Sequence, residues 1–351
     1  MNKLREGAGE RILVVGPSWV GDMVMAQSLF MTLKHQSPEC RISVLAPAWS
    51  QPIIERMPEV AEILALPAGH GDFALTARWQ LGRSLRGRFD RAIVLPRSWK
   101  SALVPFFARI PVRVGFTGEQ RYGLLTECRK LDKTVLDQTV KRFTSLGLPV
   151  AEANPPANIL EPHLKTDSVN QARLREELGL VAPPKAIIGM MPGAEYGPAK
   201  QWPLAHFRAL AESLTQAGAE VRIFGGPKDV VAGEEIAQGL SGVYNLCGKT
   251  RLADAVDLIA ECQEVVSNDS GLMHVAAAVG ARIQGIYGSS SPHYTPPLTA
   301  DREIHWLALE CSPCFKRVCP LGHTNCLNHI APERILAAIT LADDRHETRQ
   351  S

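Results

Sequence analysis

Three short segments place ionisable residues where the chain turns from an apolar run into a helical pattern. The first, G-P-S-W-V-G-D-M from Gly16 to Met23, follows the apolar run Arg11 to Val15 and carries Asp22. In the first turn of a helix a carboxylate is favoured by the dipole and kept ionised. On a loop at a strand end it is also what a general base requires. Read alone, Asp22 is equally an ordinary acid at a helix start. The second segment, P-G-A-E-Y-G-P-A-K-Q-W-P from Pro192 to Pro203, delivers Lys200 just ahead of another helix. A cation beside the positive end of a helix is mildly repelled unless an anion lies between them, so this loop reads as a phosphate site. The third, S-N-D-S-G-L-M-H-V-A-A-A from Ser267 to Ala278, offers Asp269 or Ser270 as a helix cap. Gly271 lets backbone N–H groups approach a pyrophosphate, and His274 follows on the first turn.

A fourth segment carries Cys311, Cys314, Cys319 and Cys326, with His323 and His329 nearby. In a reducing compartment four such thiols either ligate a structural zinc or form a loop of reduced cysteines; the spacing leaves both open. Other signatures are missing. There is no G-x-G-x-x-G, no G-x-S-x-G and no H-E-x-x-H. The Gly16–Gly21 spacing matches a phosphate loop, but Asp22 stands where its lysine would be needed. Nicotinamide, esterase, zincin and P-loop chemistry all lose their basis.

The 351 residues carry a net charge of only +2, but it is unevenly placed. From Arg78 to Arg142 there are fifteen Lys/Arg against five Asp/Glu, a local +10, while the remainder stands at −8. Arg78, Arg83, Arg86 and Arg88 read as a solvated helix face. Arg97, Lys100, Arg109, Arg113 and Arg121 lie among apolar residues, and this placement points to an anionic partner. Nucleic acid, anionic lipid and acidic sugar all satisfy the charge alone. Few aromatics interleave the cations, which argues against a reader of stacked bases.

Positioning these residues requires a particular frame. Short apolar runs alternate with helical periodicity from Arg11 to Phe116 and again from Ala186 to Tyr287. This is the pattern of an α/β protein with mostly parallel sheets. Between the two runs, Pro149 to Pro162 holds four prolines and reads as a linker. The expectation is therefore two doubly wound, Rossmann-like domains, 11–165 and 166–341. In such folds ligands sit at the carboxyl ends of strands, which places the site in a cleft that the two domains face. Apolar stretches are too short for a membrane span and no apolar leader opens the chain, so a cytoplasmic protein is expected.

Taken together, G-P-S-W-V-G-D-M, L-P-R-S-W-K-S-A-L-V-P-F-F, R-Y-G-L-L, P-G-A-E-Y-G-P-A-K-Q-W-P and N-D-S-G-L-M-H-V-A-A-A give a resemblance over nearly the whole chain. It resembles the glycosyltransferase family 9 heptosyltransferases of lipopolysaccharide inner-core synthesis. The resemblance implies a GT-B fold, with the acceptor held by the first domain and ADP-heptose by the second. It implies inverting transfer of L-glycero-D-manno-heptose onto the first heptose of the Kdo2–lipid A core. On that basis Asp22 is the general base. The donor-binding set is Glu195, Tyr196, Lys200, Asp269, Ser270, Gly271 and His274. Glu195 departs from the hydroxyl residue that relatives carry. Arg97, Lys100, Arg113 and Arg121 are expected to orient the anionic glycolipid acceptor. No catalytic metal is implied, because Lys200 and the Gly271 helix end would do electrostatically what a metal does in other transferases. The implied partners are a sugar nucleotide and that glycolipid, with peripheral contact at the cytoplasmic face of the inner membrane, as a monomer and without nucleic acid.

Overall fold

The computed structural model describes residues 9–66, 72–180 and 186–341. The chain divides into two compact units, one ending at His163 and the other starting at Leu164.

The first unit is built on six parallel strands: β1 (Arg11–Val15), β2 (Arg41–Ala46), β3 (Val60–Ala65), β4 (Arg91–Val94), β5 (Val112–Phe116) and β6 (Glu127–Arg129). Their order across the sheet is β3-β2-β1-β4-β5-β6. Central strands covered on both faces cannot alternate polar and apolar residues, and β1 accordingly reads RILVV with Ile12 to Val15 buried. Each fully buried aliphatic side chain there is worth about 1.5–3 kcal/mol relative to leaving it exposed. The helix Val20–Gln36 leads straight out of the β1 loop and packs on the helix Thr139–Gly147.

The second unit repeats the plan with β7 (Ile187–Met191), β8 (Glu220–Ile223), β9 (Val243–Asn245), β10 (Glu264–Asn268), β11 (Arg282–Tyr287) and β12 (Arg302–Trp306). All are parallel, in the order β12-β11-β10-β7-β8-β9. Read from β9, this is the first unit's order again: third, second, first, fourth, fifth, sixth. The order reverses direction between β1 and β4, and between β7 and β10. At such a switch point the outgoing loops diverge and leave a crevice at the carboxyl ends of the strands.

The second core encloses charge that hydropathy patterning does not reveal. Arg222 is 1% exposed and lies between Glu220, at 2.6 Å, and Glu261, at 2.5 Å. His305 meets the Gln284 side chain at 2.8 Å, and Gln284 donates to Glu264 at 2.9 Å. Burial pushes the His305 imidazole down to about 4. The first unit holds a similar departure. Arg78, expected on a solvated face, is buried; its Nε donates to the Phe73 carbonyl at 2.8 Å and its Nη1 to that of Lys100 at 3.4 Å. Among the described residues no helix is long and apolar enough to cross a membrane.

Candidate active site

In the first unit, the loops leaving β1 and β4 are neighbours, since Val15 pairs with Val94 and Leu95 donates to the Val15 carbonyl at 3.1 Å. The β1 loop runs into the helix Val20–Gln36 and puts half-buried Asp22 in its first turn. The Trp49 indole donates to the Ser18 carbonyl at 2.8 Å and ties that loop down. The β4 loop carries Arg97, which is exposed, and Lys100, which is partly so. Its shape is fixed by Ser101, whose hydroxyl bonds the Pro96 and Ser98 carbonyls at 3.0 and 2.6 Å. Gly118 lies so close that a Cβ would stand 2.2 Å from the Arg97 carbonyl oxygen, so only glycine fits there. An open cavity of about 460 Å³ beside this loop is lined by Trp99, Glu119, Gln120 and Leu124.

Of the expected acceptor cations, Arg121 is buried within the fold and Arg113 is partly buried with its guanidinium bonded to loop carbonyls. Arg121 is 1% exposed, and its guanidinium donates to the carbonyls of Phe116 at 2.5 and 3.0 Å and of Pro96 at 2.6 Å. It is the brace that gathers the β4 and β5 loops. Arg113 donates to the Leu124 carbonyl at 2.6 Å and the Ile110 carbonyl at 2.5 Å, with its guanidinium over the Phe106 ring. A buried arginine must satisfy its N–H groups internally, and loop carbonyls do so here. Arg97 is exposed in this set, and Lys100 is partly so, with its Nζ donating to the Asp72 carbonyl at 3.4 Å.

In the second unit, the loops leaving β7 and β10 are stitched together. The Asn268 side chain donates to the Pro192 carbonyl at 2.6 Å and accepts from the Trp202 backbone at 2.9 Å. Lys200 thereby meets Asp269 with a 2.5 Å Nζ–Oδ2 distance. The helix Gly271–Ala278 starts beside them, and its Ser270 cap makes no side-chain hydrogen bond to the helix; that hydroxyl instead lies 3.3 Å from Ser267 Oγ. The first N–H groups of a helix have no partner within it, which is how helix starts receive anions. His274 is buried, and burial pushes its imidazole down to about 4, so it is neutral at physiological pH.

Tyr196 places its ring against Lys200, whose Nζ is 5.1 Å from the centroid, while its hydroxyl donates to the Phe315 carbonyl at 2.9 Å. Glu195 is exposed and paired with Lys228 at 2.7 Å, so it stands at the margin of the group and not beside Lys200. The four cysteines line a small cavity of about 20 Å³ with His323, next to Ala199 and Ser289. Of the two readings open for Cys311, Cys314, Cys319 and Cys326, the zinc one finds no support: among the described residues no three His, Cys, Asp or Glu side chains gather as a metal requires. Cys319 instead faces the backbone N–H of Thr324 and its neighbours, which lowers its thiol, and Cys326 is buried on the short helix Asn325–Asn328.

The sequence reading missed two features here. Ser289 and Ser290 follow β11 at its carboxyl end, and both hydroxyls are buried without a hydrogen-bond partner. G-S-S-S at a strand end was a legible signal. Phe315 and Arg317 also reach the β7 loop, and the cysteines around them drew attention away.

Two parallel sheets of one strand order, each with ionisable loops at its switch point, define an α/β protein of two doubly wound units, the architecture that GT-B glycosyltransferases share. Comparison with known proteins makes this specific. Glycosyltransferase family 9 (heptosyltransferase) matches residues 78–325. Lipopolysaccharide heptosyltransferase 2 of Salmonella typhimurium is 45% identical over 93% of this chain and 96% of its own length. Lipooligosaccharide heptosyltransferase 2 of Haemophilus influenzae is 47% identical over 82% of this chain and 86% of its own. The structure of E. coli ADP-heptose lps heptosyltransferase II superposes with a TM-score of 0.82 at 42% identity, covering 93% and 96% of the two chains. The chain belongs to glycosyltransferase family 9.

Proposed function

We propose that this protein is the lipopolysaccharide-core heptosyltransferase that moves L-glycero-D-manno-heptose from ADP-heptose onto the first heptose of Kdo2–lipid A, with inversion. The observation that carries the reading is the Lys200–Asp269 pair beside a helix start whose cap makes no side-chain bond to it. It is supported by relatives above 40% identity named lipopolysaccharide or lipooligosaccharide heptosyltransferase 2.

The second unit binds the donor. Lys200 turns from Asp269 toward the diphosphate, and the N–H groups at Gly271 take the phosphate oxygens. Asp269 is then released to accept from a sugar hydroxyl, and neutral His274 adds no charge of its own. The first unit binds the acceptor, with Arg97 and Lys100 on its anionic groups. Asp22 accepts the proton of the attacking hydroxyl as the new C–O bond forms at the anomeric carbon. The bond from that carbon to the β-phosphate oxygen breaks, and ADP departs with the electron pair. Negative charge grows on the leaving diphosphate, which is where fixed donors lower a barrier most.

Peripheral contact with the inner membrane is supported by the exposed rings of Trp79 and Phe106, the first with the Arg83 guanidinium 4.8 Å above it. Aromatic rings beside cations suit an anionic lipid surface. The test is ADP release from ADP-heptose with and without heptosyl–Kdo2–lipid A. Release that requires this acceptor is expected. Release that proceeds equally with an acceptor lacking the first heptose would assign the chain to a different transfer within the family.

A further inference from the structure

The cysteine-bearing loop touches the donor loop at more points than a spacer would need. The Ala199 backbone donates to the Arg317 carbonyl at 3.0 Å, and the Tyr196 hydroxyl to the Phe315 carbonyl at 2.9 Å. Phe315 in turn donates to the Ser289 carbonyl at 2.7 Å, and Ser289 to that of Ala199 at 3.3 Å. The approach is tight enough that a Cβ on Gly197 would stand 2.6 Å from the Arg317 carbonyl oxygen. Phe315 is held at φ 54°, a conformation that a non-glycine residue keeps only when its surroundings enforce it.

This packing aims a second cation at the donor loop. The Arg317 guanidinium carbon is 5.3 Å from the Tyr196 ring centroid, and Lys200 Nζ is 5.1 Å from the same centroid. Two positive groups thus flank one ring. The carboxylate beside them, Asp269, pairs with Lys200, and Glu195 pairs with Lys228. Asp269 already neutralises Lys200, so the charge left uncompensated at this ring is that of Arg317, which makes no ion pair among the described residues.

We infer that Arg317 is a second diphosphate-binding cation, with Tyr196 as the ring that both it and Lys200 contact. Arginine suits the task because its planar fork bonds two phosphate oxygens at once. The inference rests on the donor reading above and adds a residue to it that lies outside the motifs carrying the family resemblance.

The experiment measures binding of ADP, AMP and adenosine by titration calorimetry to the full-length chain and to Arg317→Ala, Arg317→Lys and Lys316→Ala. Arg317→Ala is expected to weaken ADP roughly tenfold, the lower range for one charge-assisted hydrogen bond, with AMP less affected and adenosine unchanged. Arg317→Lys should restore only part of the loss, because a point charge lacks the fork, and Lys316→Ala should bind as the wild type does. Unchanged ADP affinity in Arg317→Ala overturns the inference. So does an equal loss for ADP and adenosine, which would mark Arg317 as a brace for the loop only. Failure of the wild type to bind ADP would instead bring down the donor reading, and this inference with it.

Discussion

The two switch points share a topology and handle charge in opposite ways. Around β1 and β4 Arg97 is exposed and Lys100 partly so, on the loop beside an open 460 Å³ cavity. Around β7 and β10 the charges are drawn in: Asp269 is 6% exposed, Lys200 is tied to it, and His274 is buried and neutral. A surface that meets a large anionic lipid by diffusion gains from exposed charge, which steers encounter. A site that must stabilise charge appearing on a leaving group gains from fixed, desolvated donors. One strand order thus supports either arrangement, and the loop residues decide which.

The sharpest way to break this comparison is at Asp22. Removing a single general base typically costs about 100- to 10,000-fold in rate, so Asp22→Ala should lose turnover on that scale while binding ADP normally by calorimetry. Lys200→Ala should act on the other side, lowering kcat/KM by about 100-fold and also lowering the melting temperature, because it leaves buried Asp269 uncompensated.

Arg121→Met and Arg97→Ala separate brace from ligand contact within the first unit. The first should cost about 3 kcal/mol of stability in urea unfolding by orphaning the Phe116 and Pro96 carbonyls. Arg97→Ala should leave stability alone and, combined with Lys100→Ala, raise the acceptor KM about tenfold at low salt, an effect that fades as salt is added.

A separate effect concerns pH. His274 and His305 are both pushed down to about 4 by burial, while an unfolded histidine titrates near 6.5. The unfolded chain therefore binds more protons between these values, and stability falls as pH drops from 6.5 toward 4. His305→Gln should flatten part of that slope in unfolding curves while leaving ADP affinity intact.

The frame was legible because short apolar runs bounded by turn residues announce buried parallel strands. β1, β2, β5 and β11 have the limits their residues imply. β9 and β12 were not legible; Val243–Asn245 is too short for a pattern, and Arg302–Trp306 reads as polar at one end. The loops with ionisable residues were readable because glycine and proline at strand ends mark where a ligand is met. The role of each arginine was not. Arg97 and Arg121 look alike in sequence, and only the carbonyls converging on Arg121 reveal that it serves the fold. Arg317 was hidden for the reverse reason, since its contact with the donor loop depends on a close approach at Gly197.

The central claim is that acceptor activation belongs to the first unit and donor binding to the second. The measurement that tests it most directly is acceptor-dependent ADP release by Asp22→Asn, with ADP affinity of the same variant measured in parallel. The account predicts wild-type ADP affinity with turnover lost by at least two orders of magnitude. Turnover near the wild-type rate, or loss of ADP binding together with turnover, would contradict it.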